Sequence, residues 1–201
     1  MRIFSSTSDP ELLTLLKAGG VGVLPTDTVY GLVCRAADQA AVAKLYALKH
    51  REGKPGTIVA SKLQQLIDLG LRARYLKAVE AFWPNPLSVV IPSGDELKYL
   101  HMGQHSLAVR IPANDAMREF LAHTGPLLTS SANMPGEPTA TNLAEAQAYF
   151  GDQVDFYVDG GTITDPVPST VIRILDDAIE VLRKGAVNID ENGRITKEDT
   201  R

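Results

Sequence analysis

The chain alternates short, nearly continuous apolar runs with longer stretches whose apolar residues recur at helical spacing. ELLTLLKAGG (residues 11–20) is of the second kind, and its closing glycines are a common helix stop. VGVLP (21–25) is of the first kind and ends on proline. Asp38 can cap the next helix, on which Val42, Leu45, Tyr46 and Leu48 form one apolar stripe reaching Lys49, before a loop at His50 to Pro55. TIVA (57–60), LSVVI (87–91), SLAVRI (106–111), PLLTS (126–130), VDFYV (154–158), TVIRI (170–174) and IEVLR (179–183) read as strands. Helical patterns at 61–69, 72–82, 114–123 and 142–149 separate several of them, so the expected class is α/β, a sheet covered by helices. NIDENGRITKEDTR (188–201) carries mixed charge and little apolar content, and is expected to be a flexible C-terminal tail.

Composition narrows the class without changing it. With 201 residues, 44% hydrophobic and 22% charged, the chain has the make-up of an ordinary soluble globular protein. No Gly/Ser linker, charge block or low-complexity run divides residues 1–187, which are read as one domain. No run approaches the roughly 20 apolar residues needed to span a bilayer. MRIFSSTSDPELL lacks a basic segment followed by an apolar one, so a cytoplasmic location away from membranes is expected. The single Cys34 excludes an internal disulfide or a CxxC cluster and reads best as a small buried hydrophobe. A net charge of -4 gives nucleic-acid binding no support from bulk charge, although a basic cleft can exist inside an acidic average. GxxxxGK[ST] and GxGxxG are both missing, so nucleotide binding would need another scheme.

Five polar clusters remain. TSSANMPGEP (129–138) follows the apolar pair Leu127-Leu128 and reads, on its own, as a turn-rich strand exit. PTDTVYGL (25–32) gathers two threonine hydroxyls, a carboxylate and a tyrosine, as a polar strand-to-loop exit also would. Lys49 and Arg51 stand just past a helix end, where cations commonly complement the helix dipole. Arg110 lies inside a strand, where its permanent charge must reach a carboxylate, a phosphate or water, an edge salt bridge being the plain alternative. In GGTITDPVPSTVIRI (160–174), Ser169-Thr170 stand at a strand entrance, and Arg183 closes the next strand as VLRKG.

Their order, PTDTVYGL, KxR, WPxPLS, LAVRIP, SSANxxG and PSTV, resembles the YrdC/TsaC family of threonylcarbamoyl-AMP synthases from about Gly20 to Gly185. The resemblance implies a YrdC-like twisted open mixed β-sheet, flanked by helices, with a basic cleft. It also implies an enzyme that joins L-threonine, bicarbonate and ATP into threonylcarbamoyl-AMP and pyrophosphate, for tRNA threonylcarbamoyladenosine modification. On the family pattern Lys49, Arg51, Ser131 and Asn133 are the catalytic, cationic and hydrogen-bonding tetrad, and Ser106, Thr139 and Arg183 join them on ATP. Thr26, Thr28, Arg110, Thr129 and Ser169 match positions near threonine. Mg²⁺ would arrive on the nucleotide rather than in a dedicated carboxylate cage. The short, single-domain form would pass its adenylate to other tRNA-modification proteins. Two alternatives are an RNA-binding role on tRNA or double-stranded RNA and a YciO-like paralogue, the latter disfavoured by the intact tetrad. The sequence departs from the family at Glu52, where proline is common after the KxR arginine, at Asn85 within WPNP, and at Ser130. Glu52 was expected to pair with Lys54 or to weaken ATP binding.

Overall fold

The computed structural model describes residues 1–51, 53–176, 178–190 and 193–196. Ten strands form one mixed sheet: Arg2–Phe4 (β1), Gly22–Pro25 (β2), Tyr30–Arg35 (β3), Thr57–Val59 (β4), Leu87–Pro92 (β5), Ser106–Arg110 (β6), Leu127–Ser131 (β7), Phe156–Val158 (β8), Thr170–Leu175 (β9) and Ala178–Arg183 (β10). Their order across the sheet is β1-β8-β2-β3-β7-β4-β6-β5-β9-β10. The helices are Pro10–Lys17 (α1), Gln39–Leu48 (α2), Leu63–Leu69 (α3), Ala73–Ala78 (α4), Lys98–His101 (α5), Asp115–Thr124 (α6) and Leu143–Phe150 (α7).

Alternation along the strands splits the core between two faces. Leu32, Cys34, Ile58, Leu107, Val109, Leu128 and Ile172 point to one face, where Val42 and Leu45 of α2, Leu66 of α3, Leu76 of α4, Leu100 of α5 and Phe150 of α7 cover them. Leu24, Val33, Val59 and Leu127 point to the other, against Leu12 and Leu16 of α1 and Met117, Phe120 and Leu121 of α6. Among the described residues this second layer contains two helices. Beyond Val59 and Leu127, its side of the sheet carries Thr57, Ser88, Ala108, Arg110 and Thr129, the residues offset by one from the buried apolar set. A sheet half-covered on one face is the physical origin of the cleft described below.

The expected strands and helices occur within a few residues of their predicted ends, and Asp38 caps α2 by accepting the Ala41 N–H at 3.0 Å. The sequence reading missed β1, β3 and α5. It took PTDTVYGL for a strand exit, whereas β2 and β3 are an antiparallel pair that turns at residues 26–29, and Tyr30 to Arg35 then runs between β2 and β7. The 72–82 pattern breaks at Val79, after which Glu80–Phe82 form a single 3₁₀ turn. Within the segment assigned to a tail, Asn188–Ile189 (β11) pairs with Ile195–Thr196 (β12), and Ile189 and Ile195 pack on the larger core. Two isoleucines in a polar stretch are enough to seat a short ladder, a signal that composition averages away.

Candidate active site

Three loops and the open half of the sheet converge on one cleft. The β2–β3 turn is held by the Thr26 hydroxyl, which donates to the Val29 carbonyl at 2.7 Å and accepts the Thr28 and Val29 N–H groups at 3.3 Å. Thr26 is thus a turn former, as the plain reading had it, and it lines the cleft as well. Tyr30 Oη donates to the Gly161 carbonyl at 2.7 Å and accepts Gly160 N–H at 2.9 Å, which anchors the loop leading to Ser169. Arg183 arrives through a β-bulge. Val181 opposes Ile172, but Arg183 rather than Leu182 opposes Val171, so the extra residue turns an arginine, not a leucine, toward the cleft. There its Nε and Nη2 donate to the Ser169 carbonyl at 3.0 and 2.7 Å, and Nη2 also reaches Ser169 Oγ at 3.0 Å.

The cleft comprises two adjoining cavities that share Arg51 and Ser131 as wall residues. The inner one, about 220 Å³, is lined by all five residues expected near threonine, Thr26, Thr28, Arg110, Thr129 and Ser169, together with Arg183. The outer one, about 480 Å³, is lined by the whole tetrad, Lys49, Arg51, Ser131 and Asn133, with His50 and Lys54 beside it. Ser106 and Thr139 line neither. Ser106 lies on the same strand face as Ala108 and Arg110, and its Oγ donates to the Gln104 carbonyl at 3.4 Å. Thr139 stands at the far end of the loop that follows Asn133. Glu52 lies outside the described residues.

Charge dominates the electrostatics. The Lys49 ammonium is 3% exposed, and all three of its protons are engaged, by the Ser131 carbonyl at 2.9 Å, the Asn133 carbonyl, and Asn133 Oδ1 at 2.8 Å. Ser131 Oγ donates to the same Oδ1 at 2.7 Å, so the lysine and the SxN pair form one network rather than three separate groups. Burial, and then the neighbouring Arg51 cation, push Lys49 down to about 8. Arg51 donates to the Lys54 and Pro55 carbonyls at 2.8 and 2.9 Å. Burial, and then the Arg110 and Arg51 cations across the cleft, lower Arg183 from its ordinary value. Such an array is relieved by an anionic ligand.

Arg110 is not the edge salt bridge of the plain reading. Strands β4 and β5 flank its strand on both sides, and its Nη2 donates at 2.8 Å to Asp27 Oδ1, with the two side chains 4% and 3% exposed. The sequence reading quoted Asp27 but gave it no role. It also passed over Ser88, a fully buried hydroxyl 3.0 Å from Ser169 Oγ. The signal for Ser88 was available, a lone serine on the alternating face of LSVVI that an apolar core would not hold. Ser130 Oγ, which alternation turns away from Thr129 and Ser131 to the face of Leu32 and Leu128, is buried with no hydrogen-bond partner among the described residues.

Among the described residues no carboxylate lines either cavity, and the donors that do line them suit phosphates and carboxylates. Elsewhere Asp95, His101 and His105 bring ligand atoms within 4.8 Å of one another. His101 is nevertheless a satisfied core histidine. Its Nδ1 accepts the Gly103 and His105 N–H groups at 3.1 and 3.2 Å, which leaves Nε2–H for the Gly94 carbonyl at 3.2 Å.

Fold and site together define an α/β protein with a cationic, hydroxyl-lined cleft in which a smaller cavity adjoins a larger one. The chain belongs to the Sua5/YciO/YrdC family, whose profile, described as "Telomere recombination", matches residues 14–185. A threonylcarbamoyl-AMP synthase of Chromohalobacter salexigens is 36% identical over 166 residues, which cover 80% of this chain and 89% of that protein. P. abyssi Sua5 complexed with L-threonine is similar at 27% identity with a TM-score of 0.78, over 89% of this chain and 54% of that one. The chain therefore spans about half the length of that Sua5. E. coli YciO shares the fold, with a TM-score of 0.74 at 24% identity over 87% of each chain.

Proposed function

We propose that the chain is a threonylcarbamoyl-AMP synthase, a nucleotidyltransferase that forms threonylcarbamoyl-AMP and pyrophosphate from L-threonine, bicarbonate and ATP for tRNA modification. The observation that carries this reading is the pair of adjoining cavities joined at Arg51 and Ser131, one small and lined by hydroxyls and by Arg51, Arg110 and Arg183, the other larger and lined by the tetrad. An amino acid fits the first and a nucleotide's phosphates the second, so their reacting atoms meet at the shared wall. At about 220 Å³ the inner cavity falls below the ~300 Å³ typical of larger ligands.

The chemistry asks the protein for positioning and charge neutralisation. The threonine amine attacks the carbon of carbon dioxide released from bicarbonate and loses a proton, which leaves with the hydroxide of bicarbonate as water, giving a carbamate. A carbamate oxygen then attacks the α-phosphorus, the bond to the bridging oxygen breaks, and pyrophosphate departs with the electron pair. Two anions must approach each other, which is unfavourable unless cations face both. Arg51, on the shared wall, faces both. Arg110 offers its fork to the threonine carboxylate, and Thr26, Thr28, Thr129 and Ser169 supply hydroxyls around the side chain and carbamate. Lys49 holds the Ser131–Asn133 segment in place through its three bonds and adds positive charge beside the phosphates. Arg183 supplies a further cation on the inner wall. Mg²⁺ would be held by the phosphates, supplying charge neutralisation there, since among the described residues the wall offers no carboxylate of its own. The adenylate would pass to partner proteins that modify tRNA.

The test is product identification. Purified protein incubated with ATP, Mg²⁺, isotopically labelled bicarbonate and L-threonine is expected to yield labelled threonylcarbamoyl-AMP by mass spectrometry, and far less of the serine analogue. Absence of any labelled adenylate from a folded, ATP-binding protein would overturn the assignment in favour of a paralogue with another acceptor.

A further inference from the structure

Arg110 is the most deeply buried cation of the inner cavity, and the way it is held is unusual. Its Nη2 bonds Asp27 Oδ1 at 2.8 Å, and its Nη1 lies 3.5 Å from Ser88 Oγ. Its Nε and Asp27 Oδ2 have no hydrogen-bond partner among the described residues. Arg110 forms part of the cavity wall whereas Asp27 does not, so the carboxylate grips the guanidinium from behind the wall. Ser88 in turn is 3.0 Å from Ser169 Oγ, which accepts from Arg183, so the hydroxyls brace one arginine against the other.

We infer that Asp27 is a positioning residue for substrate binding: it fixes the plane of the Arg110 guanidinium so that the fork meets the amino acid carboxylate. This rests on the synthase reading above. A planar fork recognises a carboxylate well only when its plane is fixed, and arginine's long stem does not fix it. A neutral hydroxyl 3.5 Å away is too weak a hold, and the Ser169 carbonyl is already engaged by Arg183. Among the described residues the carboxylate of Asp27 is the one charged anchor that Arg110 has. It also offsets the burial of a cation in the middle of the sheet while leaving the cavity side of the guanidinium for the ligand. Asparagine at this position would keep the shape and the Oδ1 acceptor but lose the charge that holds the guanidinium, its amide N–H₂ taking the place of the unpartnered Oδ2. The fork would then turn away from the carboxylate. The loss should appear on the amino acid and not on the nucleotide.

The experiment measures pyrophosphate release by wild type, Asp27→Asn and Asp27→Glu as threonine and ATP are varied separately. For Asp27→Asn the threonine KM is expected to rise about tenfold or more. The ATP KM and the kcat at saturating threonine should stay within about twofold, and Asp27→Glu, which restores the charge, should fall between wild type and Asp27→Asn. A purely structural role would instead lower kcat or the active fraction and leave the threonine KM alone, and that result overturns the inference. Should Asp27→Asn fail to fold, Arg110→Leu is compared with Arg110→Leu/Asp27→Asn, which removes both buried charges. Equal threonine KM values in the two support action through Arg110, and a further rise in the double variant refutes it. Wild type with threonine-dependent release and an unchanged threonine KM in Asp27→Asn overturns this inference alone. Wild type without such release overturns the synthase reading and this inference with it.

Discussion

Replacing Gly185 by alanine tests how closely the inner cavity wall is packed. A Cβ at Gly185 would lie 2.2 Å from the Pro168 carbonyl oxygen, 2.6 Å from the Ser169 carbonyl carbon and 2.7 Å from its oxygen. These are main-chain atoms and cannot rotate away. To reach even about 3.0 Å, the Pro168–Ser169 segment must retreat by roughly 0.8 Å from the strand end that carries Arg183. That segment receives the Ala186 N–H at 2.9 Å and both guanidinium bonds of Arg183, so the retreat strains every tie between β9 and β10 at this point. Overpacking of this kind costs about 1–3 kcal/mol, here toward the upper end because backbone must move. A displacement near 1 Å of wall groups costs on the order of 10²-fold in rate. Urea unfolding and threonine-dependent pyrophosphate release read the two effects separately. Gly103→Ala is the control, since among the described residues, its two chain neighbours apart, no heavy atom lies within 4 Å of where its Cβ would be. Its positive φ of 86° costs about 1 kcal/mol of strain with activity retained. Gly185→Ala within about 0.5 kcal/mol and twofold of wild type would refute the reasoning.

Lys49 makes stability depend on pH in a definite direction. Its folded pKa of about 8 lies below its ordinary 10.5, so between these values the unfolded chain holds more protons and stability must rise with pH. Wild type should therefore gain about 1–2 kcal/mol over Lys49→Met from pH 7.5 to 10.5 by urea unfolding, after allowance for solvent screening; a constant difference would contradict this. Arg110→Lys, which keeps a charge opposite Asp27 but loses the fork, should raise the threonine KM about tenfold or more and leave the ATP KM within twofold; equal effects on both substrates would place Arg110 elsewhere in the reaction. Burial pushes the Cys34 thiol far above its ordinary range, so iodoacetamide at pH 8 should label it only after denaturation; rapid labelling of the native protein would show that the β3 core opens.

The sheet was legible wherever its strands were apolar runs, because continuous burial leaves a continuous apolar signature. β3 was not, since its apolar residues begin inside PTDTVYGL, whose hydroxyls and glycine also spell a loop. Only the pairing of Leu32 with Val23 and Ser130 makes it a strand. The cleft residues came from a family pattern, and the fold gathered ten of the twelve into two touching cavities. Ser106 and Thr139 lie outside them, and nothing in their local sequence separates them from the ten. Asp27 and Ser88 were overlooked for a different reason: each acts on another side chain across the sheet, at separations of 83 and 81 residues from Arg110 and Ser169. Contacts of that kind depend on strand order, which periodicity does not encode. The bulge that exchanges Leu182 for Arg183 is equally invisible in IEVLR, because a one-residue slip changes the face without changing the pattern.

The central claim is most directly tested by pyrophosphate release from the purified protein with ATP and Mg²⁺, measured with and without L-threonine and with and without bicarbonate. The account predicts release that requires both and falls sharply when serine replaces threonine. Release that is indifferent to threonine, or none at all from a folded protein that binds ATP, would contradict it.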